Sequence, residues 1–284
     1  MTFPKCRTDR FRCGRFEFAL SRPLIMGVLN ITPDSFSDGN RFYLVDAAMA
    51  HAERMVEEGV DIIDVGGEST RPQAKPINHQ EELDRISPVL EKLQALSVPI
   101  SLDTRHATVM AHTINNHWVD MINDVHALEN PHALEILAAA PTIGICLMHM
   151  QGTPASMQCD PSYQDVVKNV SHYLKERVAA CWQSGIATER VLVDPGFGFG
   201  KTFSHNMTLL HHIKIIQKIT GRPVLAGLSR KSMLGTITKE SVPSERLGAS
   251  IAIALEAIKQ GATMVRVHDV KPTKQAIEVY LACR

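Results

Sequence analysis

The chain has 284 residues, of which 44% are hydrophobic and 21% are charged, as in an ordinary globular protein with ample material for a core. Its 30 Lys and Arg equal its 30 Asp and Glu in number, so we expect no nucleic-acid and no membrane partner, since both would need an excess of positive charge. No apolar run approaches the roughly 20 residues that cross a bilayer, and the first residues carry charges throughout instead of a signal-peptide core. We therefore expect a cytoplasmic protein.

The cysteines do not suggest a metal or disulfide framework. They are scattered and form neither a CxxC pair nor a metal-ligand spacing: Cys6, Cys13, Cys146, Cys159, Cys181 and Cys283. We interpret most of them as small buried hydrophobic residues of a reduced protein.

Eight short apolar runs alternate along the chain with longer segments of helical periodicity. The runs cover residues 24–30, 61–66, 100–103, 121–124, 144–148, 191–194, 224–227 and 264–268, and their Val, Ile, Leu and Met content is typical of strands buried on both faces of a parallel sheet. The helical segments cover residues 45–58, 79–96, 106–116, 131–139, 163–183, 205–219, 244–260 and 272–282. In the seventh helix we expect Ser244 to form the N-terminal cap and Leu247 to lie on the buried face.

Eight strands that are each followed by a helix are the number that closes a (β/α)8 TIM barrel. We predict this α/β fold as a single domain over residues 1–284, with a doubly wound open sheet as the structural alternative. Residues 1–20 precede the first barrel strand, and the alternation of polar and apolar side chains in FRCGRFEFAL at 11–20 predicts a short hairpin that closes the bottom of the barrel. The long connections 31–44, 67–78 and 149–162 would lie on the catalytic face, where strand-to-helix loops carry function.

Almost every predicted strand ends in a side chain that can form hydrogen bonds or carry charge. Asn30, Asp103, Asn123 and Asp194 hold such positions, and in a closed barrel these ends converge on one cavity. A single Asp there is more often the cap of the following helix, but several together favour a binding site, because an unpaired buried charge is costly. A ring of carboxylates and amides suits a planar, nitrogen-rich heterocycle, from which a carboxylate can accept two parallel hydrogen bonds.

Basic side chains follow on the last predicted strand. Arg266 and His268 lie two residues apart, so both point to the same side of the strand, and with a helix starting near Pro272 they would form an anion site. The alternative is an ordinary surface ion pair. The glycines of DPGFGFGKT at 194–202 lack the spacing of a Walker phosphate loop, so we interpret them as turn residues.

Eight motifs in one order along the chain carry a family resemblance. They are NITPDSFSDG at 30–39, DVGGESTRP at 64–72, SLDT at 101–104, INDV at 122–125, CLMHMQG at 146–152, DPGFGFGK at 194–201, GLSRKS at 227–232 and RVHDV at 266–270. Together they closely resemble the dihydropteroate synthases. The resemblance implies a transferase of folate biosynthesis that condenses 6-hydroxymethyl-7,8-dihydropterin pyrophosphate with p-aminobenzoate to give 7,8-dihydropteroate and pyrophosphate. It also implies Mg²⁺ as cofactor, sulfonamides as inhibitors, and a homodimer formed through helices 244–260 and 272–282.

The resemblance also assigns roles to single residues. It implies a pterin pocket made by Asp103, Asn123, Met148, Asp194, Lys231 and Arg266. It implies a pyrophosphate site made by Asn30, Arg71, Arg266 and His268, with Asn30 as the protein ligand of Mg²⁺. It places p-aminobenzoate near Phe36, Thr70, Pro72, Phe199, Lys231 and Ser232.

The chemistry expected of these residues is an SN1-like loss of pyrophosphate, with Asp34, Lys231, Arg266 and His268 as catalytic residues. Asp34 and Phe36 either belong to a solvated turn or to a lid that closes over the developing cation, and we favour the lid. Two rivals share the barrel: a pterin-dependent methyltransferase and a non-catalytic pterin-binding paralogue. The motifs at 30–39, 229–232 and 266–268 favour the synthase over both.

Overall fold

The computed structural model describes residues 9–31, 41–69 and 74–284. Within them lie ten strands: β1 (Arg10–Cys13), β2 (Phe16–Ala19), β3 (Leu24–Asn30), β4 (Ile62–Gly66), β5 (Ile100–Asp103), β6 (Met121–Asp124), β7 (Gly144–Met148), β8 (Val191–Asp194), β9 (Leu225–Ala226) and β10 (Met264–Val267). The helices of the same residues are α1 (Arg41–Glu57), α2 (His79–Leu93), α3 (Ala107–Asn115), α4 (Ala133–Ala139), α5 (Val166–Gln183), α6 (Phe203–His211), α7 (Ile213–Thr220), α8 (Ser232–Thr238), α9 (Leu247–Lys259) and α10 (Val270–Ala282).

Strands β3 to β10 form one parallel sheet in the order β8-β7-β6-β5-β4-β3-β10-β9. A parallel bridge between Val193 and Val224 joins the two outer strands, so the sheet closes into a barrel. Helices lie between consecutive strands and bury their apolar side chains against the outside of the sheet. The predicted (β/α)8 barrel is confirmed, and among the described residues no helix is long and apolar enough to cross a membrane.

The N-terminal hairpin of β1 and β2 closes the bottom of the barrel, as the alternating pattern predicts. Phe11 and Cys13 are fully buried, and the N–H of Gly14 donates to the carbonyl of Thr142 at 2.9 Å, at the entry of β7. Both buried side chains join the apolar residues at the beginnings of the barrel strands in one cluster. The hairpin therefore supplies a hydrophobic plug where the strands begin.

Strand alternation separates two levels inside the barrel. The lower level is apolar and contains Leu24, Met26, Ile62, Met121, Cys146, Leu192, Leu225 and Met264. Because every second residue of a strand points to the same side, the inward positions two residues further along carry Asp64, Asn123, Met148, Asp194 and Arg266. Apolar residues thus seal the bottom, and polar ones are gathered towards the top.

The helices differ from the prediction in several bounds, such as the start of α1 at Arg41 and of α10 at Val270, and at three further places. The segment 205–219 is two helices, α6 and α7, which meet at His212. Helix α8 was not predicted. The expected cap at Ser244 is wrong: α9 begins at Leu247, its N-cap residue Arg246 makes no side-chain capping bond, and Leu247 is 39% exposed. A short 3-10 turn at Pro243–Glu245 precedes α9, whose buried residues are Ser250, Ile253, Ala254, Ala257 and Ile258.

Candidate active site

Arg266 is the centre of a polar cluster inside the barrel. Its Nε donates to Asp64 Oδ2 at 2.6 Å, and its terminal nitrogen donates to Asp103 Oδ2 at 3.1 Å. Asn123 Nδ2 donates to the same oxygen of Asp64 at 3.2 Å. Four strands, β4, β5, β6 and β10, therefore bring one side chain each to a common point, and the interpretation of Arg266 as part of a surface ion pair is wrong.

The carboxylates set the electrostatics of this cluster. Burial alone would lower the pKa of Arg266, but Asp64 and Asp103 outweigh that effect and raise it, so the guanidinium stays charged. Burial raises the pKa of Asp103, and Arg266 opposes the shift. The other oxygen of Asp64, Oδ1, is buried and has no hydrogen-bond partner among the described residues. An acceptor left in this state favours a ligand that donates a hydrogen bond to the cluster.

Asp194 and Lys231 lie beside this cluster. A Cβ atom built on Gly227 would lie 3.8 Å from Asp194 Oδ2 and 3.9 Å from Arg266 Cβ, so Asp194 and Arg266 flank this glycine. Burial raises the pKa of Asp194. Burial lowers the pKa of Lys231 to about 8, although Asp194 works in the opposite direction. The two groups are close enough to influence each other's ionisation.

Lys231 also borders a second space. Its ammonium lies 4.2 Å from the centre of the Phe199 ring, a cation–π contact. A cavity of about 250 Å³ opens beside it, lined by Lys231, Ser232, Lys201, Phe203 and Gly198 among others. Met148 is 3% exposed and pairs in register with Asp194 on the neighbouring strand. The structure thus brings Met148 and Lys231 close to Asp194, and Phe199 and Ser232 close to Lys231.

Asn30 and His268 lie at the mouth of the barrel. Asn30 ends β3 opposite Gly66, and a Cβ atom on Gly66 would lie 3.4 Å from Asn30 Oδ1 and 3.8 Å from Asp103 Cβ. His268 follows β10, and its Nδ1 lies 3.0 Å from Ser229 Oγ. Helix α10 begins at Val270, two residues beyond His268. His268 and Arg266 thus flank the entrance from the same strand end.

Five of the predicted site residues fall outside the described residues. They are Asp34 and Phe36 of the first long connection, and Thr70, Arg71 and Pro72 of the second. Their roles stay predictions.

Two functional candidates were missed by the sequence analysis. Asp64 was overlooked because it lies two residues before the end of β4, whereas only strand ends were considered. The staggered register puts it at the height of Arg266: Arg266 pairs with Met26, Met26 with Ile62, and Asp64 is the next inward residue of β4. An Asp within the apolar run IIDVG was the available signal.

Lys201 is the second missed candidate. It is 3% exposed, and its ammonium lies 3.0 Å from His149 Nδ1 and 2.9 Å from the carbonyl of Phe199. Burial lowers its pKa to about 7. Burial and the charge of Lys201 lower the pKa of His149 to about 3, so His149 is neutral and its Nδ1 can accept.

The glycines before Lys201 are turn residues, as predicted. Gly196, Gly198 and Gly200 have φ angles of 70°, 80° and 63°, a region that residues with a Cβ rarely adopt. At Gly196 and Gly200 a Cβ would also collide with the carbonyl oxygens of His149 and Gln151. The segment is therefore a tight backbone turn that brings Phe199 towards Lys231.

One strand-end carboxylate, Asp124, is not the N-cap of the following helix, since that position is His132. Asp124 accepts the backbone N–H of His126 and of Leu128, both at 2.8 Å. It fastens the turn after β6 and takes no part in the Arg266 cluster.

Comparisons with known proteins agree with this geometry. The family model of pterin binding enzymes matches residues 26–268. A dihydropteroate synthase of Neisseria meningitidis serogroup C is 49% identical over 273 residues, which are 96% of this chain and 96% of that protein. The Yersinia pestis dihydropteroate synthase, solved as a sulfonamide drug complex, superposes with a TM-score of 0.90 at 43% identity and covers 97% of this chain and 99% of its own. The Xanthomonas albilineans enzyme, solved with 4-aminobenzoic acid, gives a TM-score of 0.90 at 43% identity and 98% coverage of both chains.

Proposed function

The chain belongs to the pterin-binding enzymes, and within them to the dihydropteroate synthases, and from this premise we propose how its residues join a pterin pyrophosphate to p-aminobenzoate. The reaction makes the chain a transferase: 6-hydroxymethyl-7,8-dihydropterin pyrophosphate and p-aminobenzoate give 7,8-dihydropteroate and pyrophosphate. The observation that carries the proposal is the convergence of Asp64, Asp103 and Asn123 on Arg266, with Asp194 and Lys231 facing them.

We place the pterin ring between these two groups of side chains. Its amino group and ring N–H groups would donate to the carboxylates of Asp103 and Asp194 and to the Asn123 amide oxygen, while Lys231 donates to the ring's acceptors. Met148 and the flat guanidinium of Arg266 would pack on the ring faces. The apolar level below stops the ring from sinking further into the barrel.

The second substrate fits the neighbouring cavity. Phe199, Lys231 and Ser232 would form one wall of the p-aminobenzoate site, and Lys231 and the first residues of α8 would face its carboxylate. We assign the other wall to Phe36, Thr70 and Pro72. Lys231 lies between the two proposed substrate sites, so it can contact both substrates at once. In that position it orients them and balances charge, and no covalent step through its nitrogen is needed.

Magnesium is proposed at Asn30. Within the described ranges no cluster of three or more His, Cys, Asp or Glu side chains could hold a metal ion by itself. A single carboxamide oxygen at the mouth still fits Mg²⁺, because this ion keeps several waters and takes further ligands from substrate phosphates. When bound, Mg²⁺ neutralises negative charge on the pyrophosphate.

The chemical step is a substitution at the methylene carbon. The C–O bond to pyrophosphate breaks, and the leaving group takes the electron pair, helped by the positive charge of Arg71 and Arg266 and by a hydrogen bond from His268. The carbon is left electron-poor and conjugated with the pterin, where Asp103 and Asp194 stabilise the positive charge and Asp34 would cover it from the first connection. The amine lone pair of p-aminobenzoate then forms the C–N bond, and the amine releases a proton. The arylamine is neutral at pH 7, so the step needs no strong base.

We further propose that the enzyme is a cytoplasmic homodimer. Its α9 and α10 pack against each other and expose large apolar side chains, with Leu247 39%, Val279 64% and Leu281 38% exposed. Sedimentation analysis tests this state: a monomer at micromolar concentration would refute it.

Pyrophosphate release tests the proposed reaction. The protein should release pyrophosphate only when both the pterin pyrophosphate and p-aminobenzoate are present, and a sulfonamide should compete with p-aminobenzoate. Transfer of a methyl group from a methylated pterin would support the methyltransferase rival instead. Pterin binding without any turnover would support the non-catalytic paralogue.

A further inference from the structure

Lys201 sits beneath the turn that carries Phe199. Its ammonium has three protons and three acceptors around it: the carbonyl of Phe199 at 2.9 Å, the carbonyl of His149 at 3.3 Å and the His149 ring nitrogen Nδ1 at 3.0 Å. Each acceptor comes from the end of β7 or from the turn after β8. One buried side chain therefore ties two neighbouring loops at the top of the barrel.

The same turn is fastened from its outer side. Tyr163 Oη donates to the carbonyl of Gly200 at 2.8 Å, and Asn206 Oδ1 accepts the N–H of Gly198 at 2.8 Å. Three of its glycines adopt φ angles that favour glycine, so the backbone itself has little preference for this shape. The hydrogen bonds from Lys201, Tyr163 and Asn206 therefore hold the turn in this conformation.

The shape of this turn decides where Phe199 and Lys231 lie. The Lys231 ammonium lies 4.2 Å from the centre of the Phe199 ring, and a Cβ atom built on Gly198 would lie 3.4 Å from Lys231 Cδ. Asp103, Asn123 and Arg266 are held by strands and by one another, and Lys201 touches none of them in the described part of the chain.

We propose that Lys201 is a positioning residue for the second substrate: it holds the Phe199 carbonyl and so places the Phe199 ring and the Lys231 ammonium for p-aminobenzoate. This inference rests on the proposed synthase reaction. It assigns the binding of the pterin to the strand residues and the shape of the p-aminobenzoate wall to Lys201, a buried cation that itself borders the cavity proposed for that substrate.

Steady-state kinetics of Lys201→Met separate this role from a general loss of structure. We expect the KM for p-aminobenzoate to rise about tenfold or more, as for the loss of hydrogen bonds to a charged group, while the KM for the pterin pyrophosphate changes less than about twofold. The matched control is Arg190→Met. Arg190 is another buried cation that donates to main-chain carbonyls, those of Ile143, Leu137 and Ala140, but it lies where β8 begins, at the far end of the barrel. It should lower stability without changing the ratio of the two KM values.

Two further variants keep the test valid if Lys201→Met folds poorly. Tyr163→Phe removes only the bond to Gly200 and should shift the KM for p-aminobenzoate in the same direction by a smaller factor. Lys201→Met and Phe199→Leu should be non-additive in a double-mutant cycle, because the first acts through the second.

Equal increases in both KM values, or additive effects in the cycle, would overturn the inference and assign Lys201 to the field around Asp194 or to the fold as a whole. Wild-type turnover is measured first. If the wild type releases no pyrophosphate with both substrates, the proposed function has failed. If the wild type is active but the variants change both KM values equally, only the role of Lys201 has failed.

Discussion

The guanidinium Nε of Arg266 lies 2.6 Å from Oδ2 of Asp64, a residue 202 positions earlier in the chain. This contact joins β10 to β4 across β3, which lies between them in the sheet. Asp64 is fully buried, and Asn123 donates to the same oxygen. Asp64 therefore fixes the orientation of two residues that we assign to the pterin pocket.

Asp64→Asn should weaken both stability and pterin binding. The change keeps the shape but removes one of the two carboxylates that hold Arg266, so we expect a loss of about 1 to 3 kcal/mol in the free energy of unfolding and about a tenfold weaker pterin affinity. Urea unfolding and calorimetry measure the two effects. Asp61→Asn is the matched control, because Asp61 accepts a two-pronged bond from Arg22 and the N–H of Ile25 where β4 begins. Asp61→Asn should lower the free energy of unfolding without weakening pterin affinity. An equal loss of pterin affinity in both variants would contradict the role of Asp64.

Pterin binding should depend on pH through Lys231. Burial lowers the pKa of this lysine to about 8, so its ammonium is present below that pH and is lost above it. Affinity for the pterin pyrophosphate should therefore fall by about tenfold as the pH rises through 8, since the bond to a charged donor is lost. Lys231→Met should bind weakly at every pH and lack this decrease. A decrease of equal size in the variant would assign the titration to another group.

Asn30 should govern the magnesium requirement. Asn30→Ala is expected to raise the Mg²⁺ concentration that gives half-maximal pyrophosphate release by about tenfold or more, in the range seen when a ligand environment is disturbed. Affinity for a pterin without pyrophosphate should not change, because this ligand does not need the ion. Asn116→Ala serves as the amide control, since Asn116 is exposed at the end of α3 and bonds only within that helix. An unchanged Mg²⁺ dependence in Asn30→Ala would remove Asn30 from the metal site.

Glu82 should make folding depend on pH. This α2 residue is buried, and burial, with help from the charges of Glu68 and Asp103, raises its pKa from 4.5 to about 8. Between these two pH values the folded chain holds a proton that the unfolded chain has released, so stability falls as the pH rises through this window. Glu82→Gln cannot ionise. It should gain stability relative to the wild type between pH 5 and 8, by a few kcal/mol at most, as followed by thermal unfolding. A constant difference across that range would contradict the shift.

Much of the fold could be predicted because buried parallel strands have a simple signature. Five of the eight barrel strands have the predicted bounds, such as Met121–Asp124 and Val191–Asp194, since an apolar run flanked by polar residues marks both ends. Helix α8, Ser232–Thr238, was missed because Gly235 and several β-branched residues give it weak helical character, and its start is set by the Lys231 turn. The break between α6 and α7 was not predicted because the residue at the junction is His212, whereas a helix break is usually marked by Pro or Gly.

The site could be predicted as a set of side chains at strand ends, but the hydrogen bonds between these side chains could not. Asp103, Asn123 and Asp194 are visible because they follow apolar runs. Arg266 binds both Asp64 and Asp103 because neighbouring strands are staggered. This stagger is fixed by closure of the barrel and cannot be predicted from any local sequence pattern. Lys201 was overlooked for a similar reason: its acceptors, on His149 and Phe199, meet only after β7 and β8 pair.

Calorimetric titration of the pterin pyrophosphate into Asp194→Ala tests the central claim most directly, since Asp194 and Arg266 flank Gly227. The central claim is that residues from distant parts of the chain form one pterin pocket. The wild type should therefore show a clear binding isotherm, and the folded variant should show none in the same concentration range. A variant that binds the pterin with wild-type affinity would show that the ring is held elsewhere in the molecule.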